Sequence, residues 1–223
     1  MPGYSHAFIS YQTADRVVAG QMREALAPAG VAAFLAHEDI EVSVEWRGRL
    51  LQELHRADVF IAVLSAAYLR SAWCIQESGI AAFKPDLLVV PLSLDGTVPP
   101  AFLGGFQSAR LDPATLSTAT LAPAFTSRNL HKGLFNLISV VGNSRNYRSA
   151  ESNFAMLMPH LAHLLPEHVT SLLEAALEND QVCNAGRCAA EHIPAVLTAY
   201  PRLGSRKTRT DLKAICRRYG ANV

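Results

Sequence analysis

No two cysteines of this chain are spaced as CxxC. Its four, Cys74, Cys183, Cys188 and Cys216, form no zinc-finger pattern with histidine. They read as reduced thiols packed like small hydrophobes. Long apolar runs are missing too. The longest, Ala57 to Ala67, is broken by Asp58 and is too short to span a bilayer. The N-terminus has no basic stretch leading into an apolar one, which predicts no signal peptide, no membrane partner and a cytoplasmic location. Glycine-rich phosphate loops are absent: Gly104-Gly105 is isolated, and neither GxGxxG nor GxxxxGK occurs. Neither sign of charge dominates, since 20 Lys and Arg against 19 Asp and Glu leave +1, which by itself selects no partner. There is no internal repeat and no low-complexity tract.

What is present is apolar and periodic. Half of the 223 residues are hydrophobic and 17% are charged, which describes a globular chain. Residues 6–11, around Phe8 and Ile9, read as a first strand. Val17, Val18, Met22, Ala25 and Leu26 follow at helical spacing. A short strand over 32–36, a polar loop over 37–43 and a helix over 44–56 come next. The run from Asp58 to Ser65 is continuously apolar, as a strand buried on both faces should be. Ser71 is placed to cap a helix over 72–83. Residues 87–94 are a fourth strand, 107–111 a weak fifth, and 129–141 a closing helix. Alternating strands and helices with short links predict a flavodoxin-like five-stranded parallel sheet of order 2-1-3-4-5. Its crevice lies between the C-terminal ends of strands 1 and 3.

Gly142-Asn143-Ser144 breaks this pattern. Helices are expected over 151–165, 167–179, 181–190 and 207–219, punctuated by Pro159, Pro166, Pro194 and Pro201. The expected division is a domain over 1–142 and a small α-helical module over 143–223. The module is the more basic part, with 10 Lys and Arg against 7 Asp and Glu. Most of that excess crowds into Arg202, Arg206, Lys207, Arg209, Lys213, Arg217 and Arg218. A solvated helix face, or pairing with an acidic patch on a neighbour, is the expected reading of that cluster, and no nucleic-acid partner is expected.

On this topology Ser10 and Tyr11 end strand 1 beside the crevice. Trp73 and Glu77 lie four apart on the helix after strand 3, so an aromatic ring and a carboxylate project from one side of it. Four stretches carry a resemblance. These are His6 to Tyr11, the loop from Ala36 to Trp46, the strand Asp58 to Ser65, and Ser71-Ala72-Trp73-Cys74-Ile75-Gln76-Glu77. In that order and spacing they resemble the successive boxes of a bacterial TIR (Toll/interleukin-1 receptor) domain, over residues 4 to about 141.

The resemblance implies an activity. Many such domains are NAD+ glycohydrolases, which cleave the nicotinamide–ribose bond with the glutamate of a Trp-x-x-x-Glu motif, here Trp73 and Glu77. It implies Glu77 as catalytic residue. It implies Trp73, Ser10, Tyr11, Gln12, Ser43 and Trp46 as substrate-binding residues; Gln12 stands where some relatives carry a basic residue. NAD+ would be substrate, with no cofactor and no metal. The product would be ADP-ribose or a cyclic ADP-ribose isomer, in bacterial anti-phage defence signalling. Self-association through TIR domains and an effector or sensor partner for 143–223 are implied as well. The competing expectation is a non-catalytic TIR adaptor acting by TIR–TIR assembly. His37 and His131 are read as structural, and His160, His163 and His168 as no metal site.

Overall fold

The computed structural model describes residues 3–36, 46–126 and 129–223, the side chains of Trp46 and of 123–125 excepted. It divides into two compact units, Tyr4–Asn129 and Leu130–Val223, Gly3 belonging with the second.

The first unit is a parallel sheet clad in helices. Its strands are β1 (His6–Ser10), β2 (Ala32–Leu35), β3 (Val59–Leu64), β4 (Leu88–Ser93) and β5 (Ala109–Arg110), in the order β2-β1-β3-β4-β5. The flavodoxin-like order expected from the sequence is therefore the order found. Every pairing is parallel; Phe8 faces Phe34 on one side and Phe60 on the other, and Ser10 faces Ala62. Between the strands run α1 (Arg16–Leu26), α2 (Trp46–Arg56) and α3 (Ala72–Phe83), and α4 (Thr118–Thr126) follows β5.

Strand alternation sorts the core into two layers. Phe8, Phe34, Phe60, Ala62 and Leu64 pack with Leu50 and Leu54 of α2 and Cys74 and Ala81 of α3. The Phe8 ring lies 5.4 Å from Phe34 and 5.7 Å from Phe60. On the opposite face, Ala7, Val59, Ile61 and Val90 meet Leu26 of α1 and Leu121 of α4. Between the weak fifth strand and the closing helix no element was expected, yet α4 lies there.

The second unit is helical: α5 (Leu130–Gly142), α6 (Tyr147–Leu157), α7 (Pro166–Glu178), α8 (Asp180–Cys183), α9 (Ile193–Ala199) and α10 (Arg206–Arg218). The expected boundary at 142/143 falls instead at 129/130. The reason lies in α5, whose inner face packs on α6 and α7. Gly142 lets α5 approach α7 closely, since a Cβ there would lie 3.1 Å from that of Ala175. Asn179 then ties the corner, its amide donating to the carbonyls of Gly142 (2.8 Å) and Ser144 (2.9 Å). The helix expected over 181–190 is shorter, ending at Cys183, and a wide turn over Cys188–His192 leads into α9. Pro194 lies in the first turn of α9, where proline is tolerated, so a residue expected as punctuation between helices opens one instead.

Candidate functional site

Glu77 is a carboxylate in a buried stripe. On α3 the residues turned inward are Cys74, Glu77, Ser78 and Ala81, the spacing of one helix face. Ser71 starts that helix, its hydroxyl accepting from the Cys74 N–H at 3.3 Å. Glu77 is only 1% exposed. An uncompensated charge there is costly, so its partners decide what it does.

Its partner is Ser10. Alternation puts Ser10 on the same face of β1 as Phe8, beneath α3, and its hydroxyl donates to Glu77 Oε2 at 2.5 Å. Glu77 Oε1 has no hydrogen-bond partner among the described residues. Burial pushes the Glu77 carboxyl up to about 7, against the downward pull of the Ser10 bond. At neutral pH it therefore sits near the balance between its two protonation states.

Behind Ser10 the polar atoms continue in a line. The Ser10 hydroxyl lies 3.0 Å from that of Tyr68, which lies 2.8 Å from that of Ser78, which donates to the Cys74 carbonyl at 2.8 Å. Burial raises the Tyr68 hydroxyl well above its ordinary value, so it keeps its proton. Counting hydrogens is informative. With Glu77 protonated, each group donates to the next, from Glu77 through Ser10, Tyr68 and Ser78 to the Cys74 carbonyl, and every bond is made. With Glu77 ionised, Ser10 donates to the carboxylate, Tyr68 to Ser10 and Ser78 to Tyr68, so the three hydroxyl contacts persist and only the Ser78 bond to the Cys74 carbonyl is given up. The line of hydroxyls therefore serves either state of Glu77, and the bond from Ser10 pulls its carboxyl down against burial. Cys74 is part of this packing and not a nucleophile: burial raises its thiol to about 11.

Two further carboxylates stand at the same ends of the strands. Asp15, after β1, accepts from the Ser65 hydroxyl at 2.6 Å, and Ser65, after β3, accepts from the Tyr68 N–H at 3.2 Å. Asp95, after β4, accepts from the N–H of Ala66 (2.9 Å) and of Thr97 (2.9 Å). Bonds from the Thr97 hydroxyl and these amides hold its carboxyl down at about 2. The C-terminal ends of β1, β3 and β4 are thus bordered by acids.

The other expected site residues fall differently. Tyr11 is fully buried. Gln12 caps the turn before α1, its Oε1 accepting from the Ala14 N–H at 2.6 Å. Trp73 lies about 40° from Glu77 around the helix, yet it is 38% exposed where Glu77 is closed off. Ser43, the Trp46 side chain, His37 and the rest of loop 37–43 lie outside the described residues. Tyr68 and Ser78 were missed by sequence reasoning. The available signal was Ser78 beside Glu77 on the inward stripe; Tyr68 carries none, because only the turn after β3 brings it under Ser10.

Comparison with known families decides what the fold alone leaves open. A TIR domain family model matches residues 7–122, more than half of the chain. The chain belongs to the TIR family. The match begins one residue into β1 and ends within α4, so it covers the sheet and the acids at its C-terminal ends and stops short of the second unit. No curated protein matches the chain. Among the described residues, no cluster of His, Cys, Asp and Glu is disposed to hold a metal ion, and no helix is long and apolar enough to cross a membrane.

Proposed function

We propose that this TIR domain cleaves NAD+ at the nicotinamide–ribose bond, with Glu77 as the catalytic residue. The observation that carries the reading is the Glu77 carboxylate at the β1/β3 switch point, held by Ser10 through one oxygen and leaving the other without a partner among the described residues.

The chemistry suits one carboxylate. The bond from ribose C1′ to the pyridinium nitrogen breaks, and its electron pair stays on that nitrogen. Nicotinamide leaves neutral, without a general acid, and an oxocarbenium-like ribose remains. Glu77 stabilises that cation from a water-poor position. A group poised near neutrality responds strongly to its ligand, because an approaching cation favours the ionised carboxylate. Asp15 and Asp95 add negative potential for the cationic nicotinamide end. Trp73, more than a third exposed, offers a ring for stacking. Water attacking C1′ gives ADP-ribose and a proton, whereas an atom of the same molecule gives a cyclic isomer. A role in anti-phage defence, with the second unit meeting an effector or sensor, belongs to the same reading.

The burial of Glu77 also favours a second reading, a TIR adaptor that acts by assembly without chemistry. Turnover requires this 1% exposed carboxylate to be uncovered; an adaptor has no such requirement. Incubating the purified protein with NAD+ at low and high concentration, with Glu77→Ala alongside, and resolving the products by chromatography separates the two. Nicotinamide release by wild type alone supports the enzyme. No release at any concentration supports the adaptor.

A further inference from the structure

Charge in the second unit is sorted by helix. α7 carries Glu167, Glu174 and Glu178 with no Lys or Arg, and Asp180 follows it; all four are exposed. α10 carries Arg206, Lys207, Arg209, Lys213, Arg217 and Arg218 against Asp211 alone. Two of these cations are occupied at home. The Arg209 guanidinium donates to the carbonyls of Tyr200 and Leu203 at 2.8 Å and of Leu197 at 3.0 Å, and Arg217 holds the Val223 carbonyl oxygen at 2.8 Å. The side chains of Arg206, Lys207 and Lys213 make no hydrogen bond or ion pair among the described residues, and neither do those of Glu174 and Glu178.

Helix stability does not account for this placement. Cations are favoured at helix C-termini and anions at N-termini. Arg206 and Lys207 nevertheless occupy the first turn of α10, which holds no acid, and Glu178 occupies the last turn of α7. Glu174 with Glu178, and Lys213 with Arg217, set like charges one turn apart, which opposes the helix. A lipid surface is a poor match. The exposed residues among the cations of α10 are Thr210 and Ala214, and its apolar Leu212 and Cys216 are buried in the unit. A polyanion would meet the cations and be repelled by the acids of α7. The partner that answers both helices carries both signs.

We propose that this helical unit docks on a second copy of the chain, with the cations of α10 seated on the acidic face of α7. The receiving surface has a shape as well as a charge. Glu178 and Asp180 border a groove of about 490 Å3 that is also lined by Ile138, Ser139, Asn143 and Ala175. An Arg or Lys stem lies along its apolar part while the charged head meets the carboxylates. The contact is independent of any chemistry at Glu77.

Sedimentation velocity on the full chain, at low and high salt, tests this. Wild type associates, and the association weakens as salt screens the pairs. Glu174→Lys/Glu178→Lys and Arg206→Glu/Lys207→Glu each weaken it at least about tenfold, because like charges then face each other. Circular dichroism checks that both variants stay folded; all four positions are exposed. Mixing the two variants restores association, since each reversed face then meets its opposite. Four results would overturn the proposal. These are a monomeric wild type at every concentration and salt, an association indifferent to both reversals (the contact then belongs to the TIR domain), two folded variants that stay apart when mixed, and duplex DNA binding lost with Arg206→Glu/Lys207→Glu in a chain that remains monomeric.

Discussion

The hydroxyl of Ser10, the last residue of β1, donates to the carboxylate of Glu77 at 2.5 Å across the top of the sheet. This bond works against burial, which raises the Glu77 carboxyl, so losing it moves the carboxyl further upward. Hydrogen bonds to charged groups contribute about 1.5–3 kcal/mol. Ser10→Ala is therefore expected to lower NAD+ cleavage at neutral pH about 10- to 100-fold and to move the acidic limb of the kcat/KM profile to higher pH. A profile that drops without moving would mean that Ser10 does not act through the ionisation of Glu77.

Glu77 is expected to cost the fold stability above neutral pH. Its folded value of about 7 lies above the ordinary 4.5, so the folded state binds the extra proton between those values. Stability is fully present below about 4.5 and is lost as pH rises through about 7. Glu77→Gln removes the titration. Urea unfolding should find the variant more stable than wild type at pH 8, by on the order of 1–3 kcal/mol, with the gap closing toward pH 4.5. A wild type more stable at pH 8 would show that the carboxylate is compensated by bonds outside this account.

His168 in the second unit runs the opposite way. It is buried at the start of α7, where its Nδ1 accepts from the Leu165 N–H at 3.1 Å, leaving Nε2–H to donate to the His131 carbonyl at 3.1 Å. A protonated ring cannot accept the first bond. Burial, the largest influence, lowers its value below the ordinary 6.5, so the unfolded state takes up the proton first. Stability is thus lost as pH falls through about 6.5. Hydrogen exchange of the α7 amides should accelerate between pH 7 and pH 5, after correction for intrinsic rates. His168→Gln should flatten that dependence while weakening α7 at every pH. An unchanged pH dependence in the variant would move the effect to other groups, His192 among them.

Much of this was written in the order of the residues. The runs around Phe8, from Asp58 to Ser65 and from Leu87 to Leu94 are apolar on both faces, and only a strand between two helix layers uses such a run. The alternation of Phe8 and Ser10 places Ser10 under α3, so the Ser10–Glu77 neighbourhood was legible. Tyr68 was not, because its place under Ser10 depends on a turn whose geometry no periodicity encodes. The boundary was misplaced for a related reason. Leu130, Leu134, Leu137 and Ile138 announce an apolar helix face, but such a face does not name the surface that will cover it. Gln12 shows the limit for site residues: a polar side chain at a strand end reads as pocket lining, and the backbone of Ala14 claims it first.

The edges of the sheet carry one more consequence. β2 and β5, which flank it, are four and two residues long, and β5 pairs only through Ala109 and Arg110. Strand-by-strand growth from one molecule to the next needs a longer row of free amides and carbonyls than either edge presents. Among the described residues, a contact between two copies of this chain would therefore fall to side chains, and a contact held by side chains answers to ionic strength and to single substitutions. Reversible assembly is built on contacts of that kind, whereas a fibril, once zipped along its backbone, does not come apart.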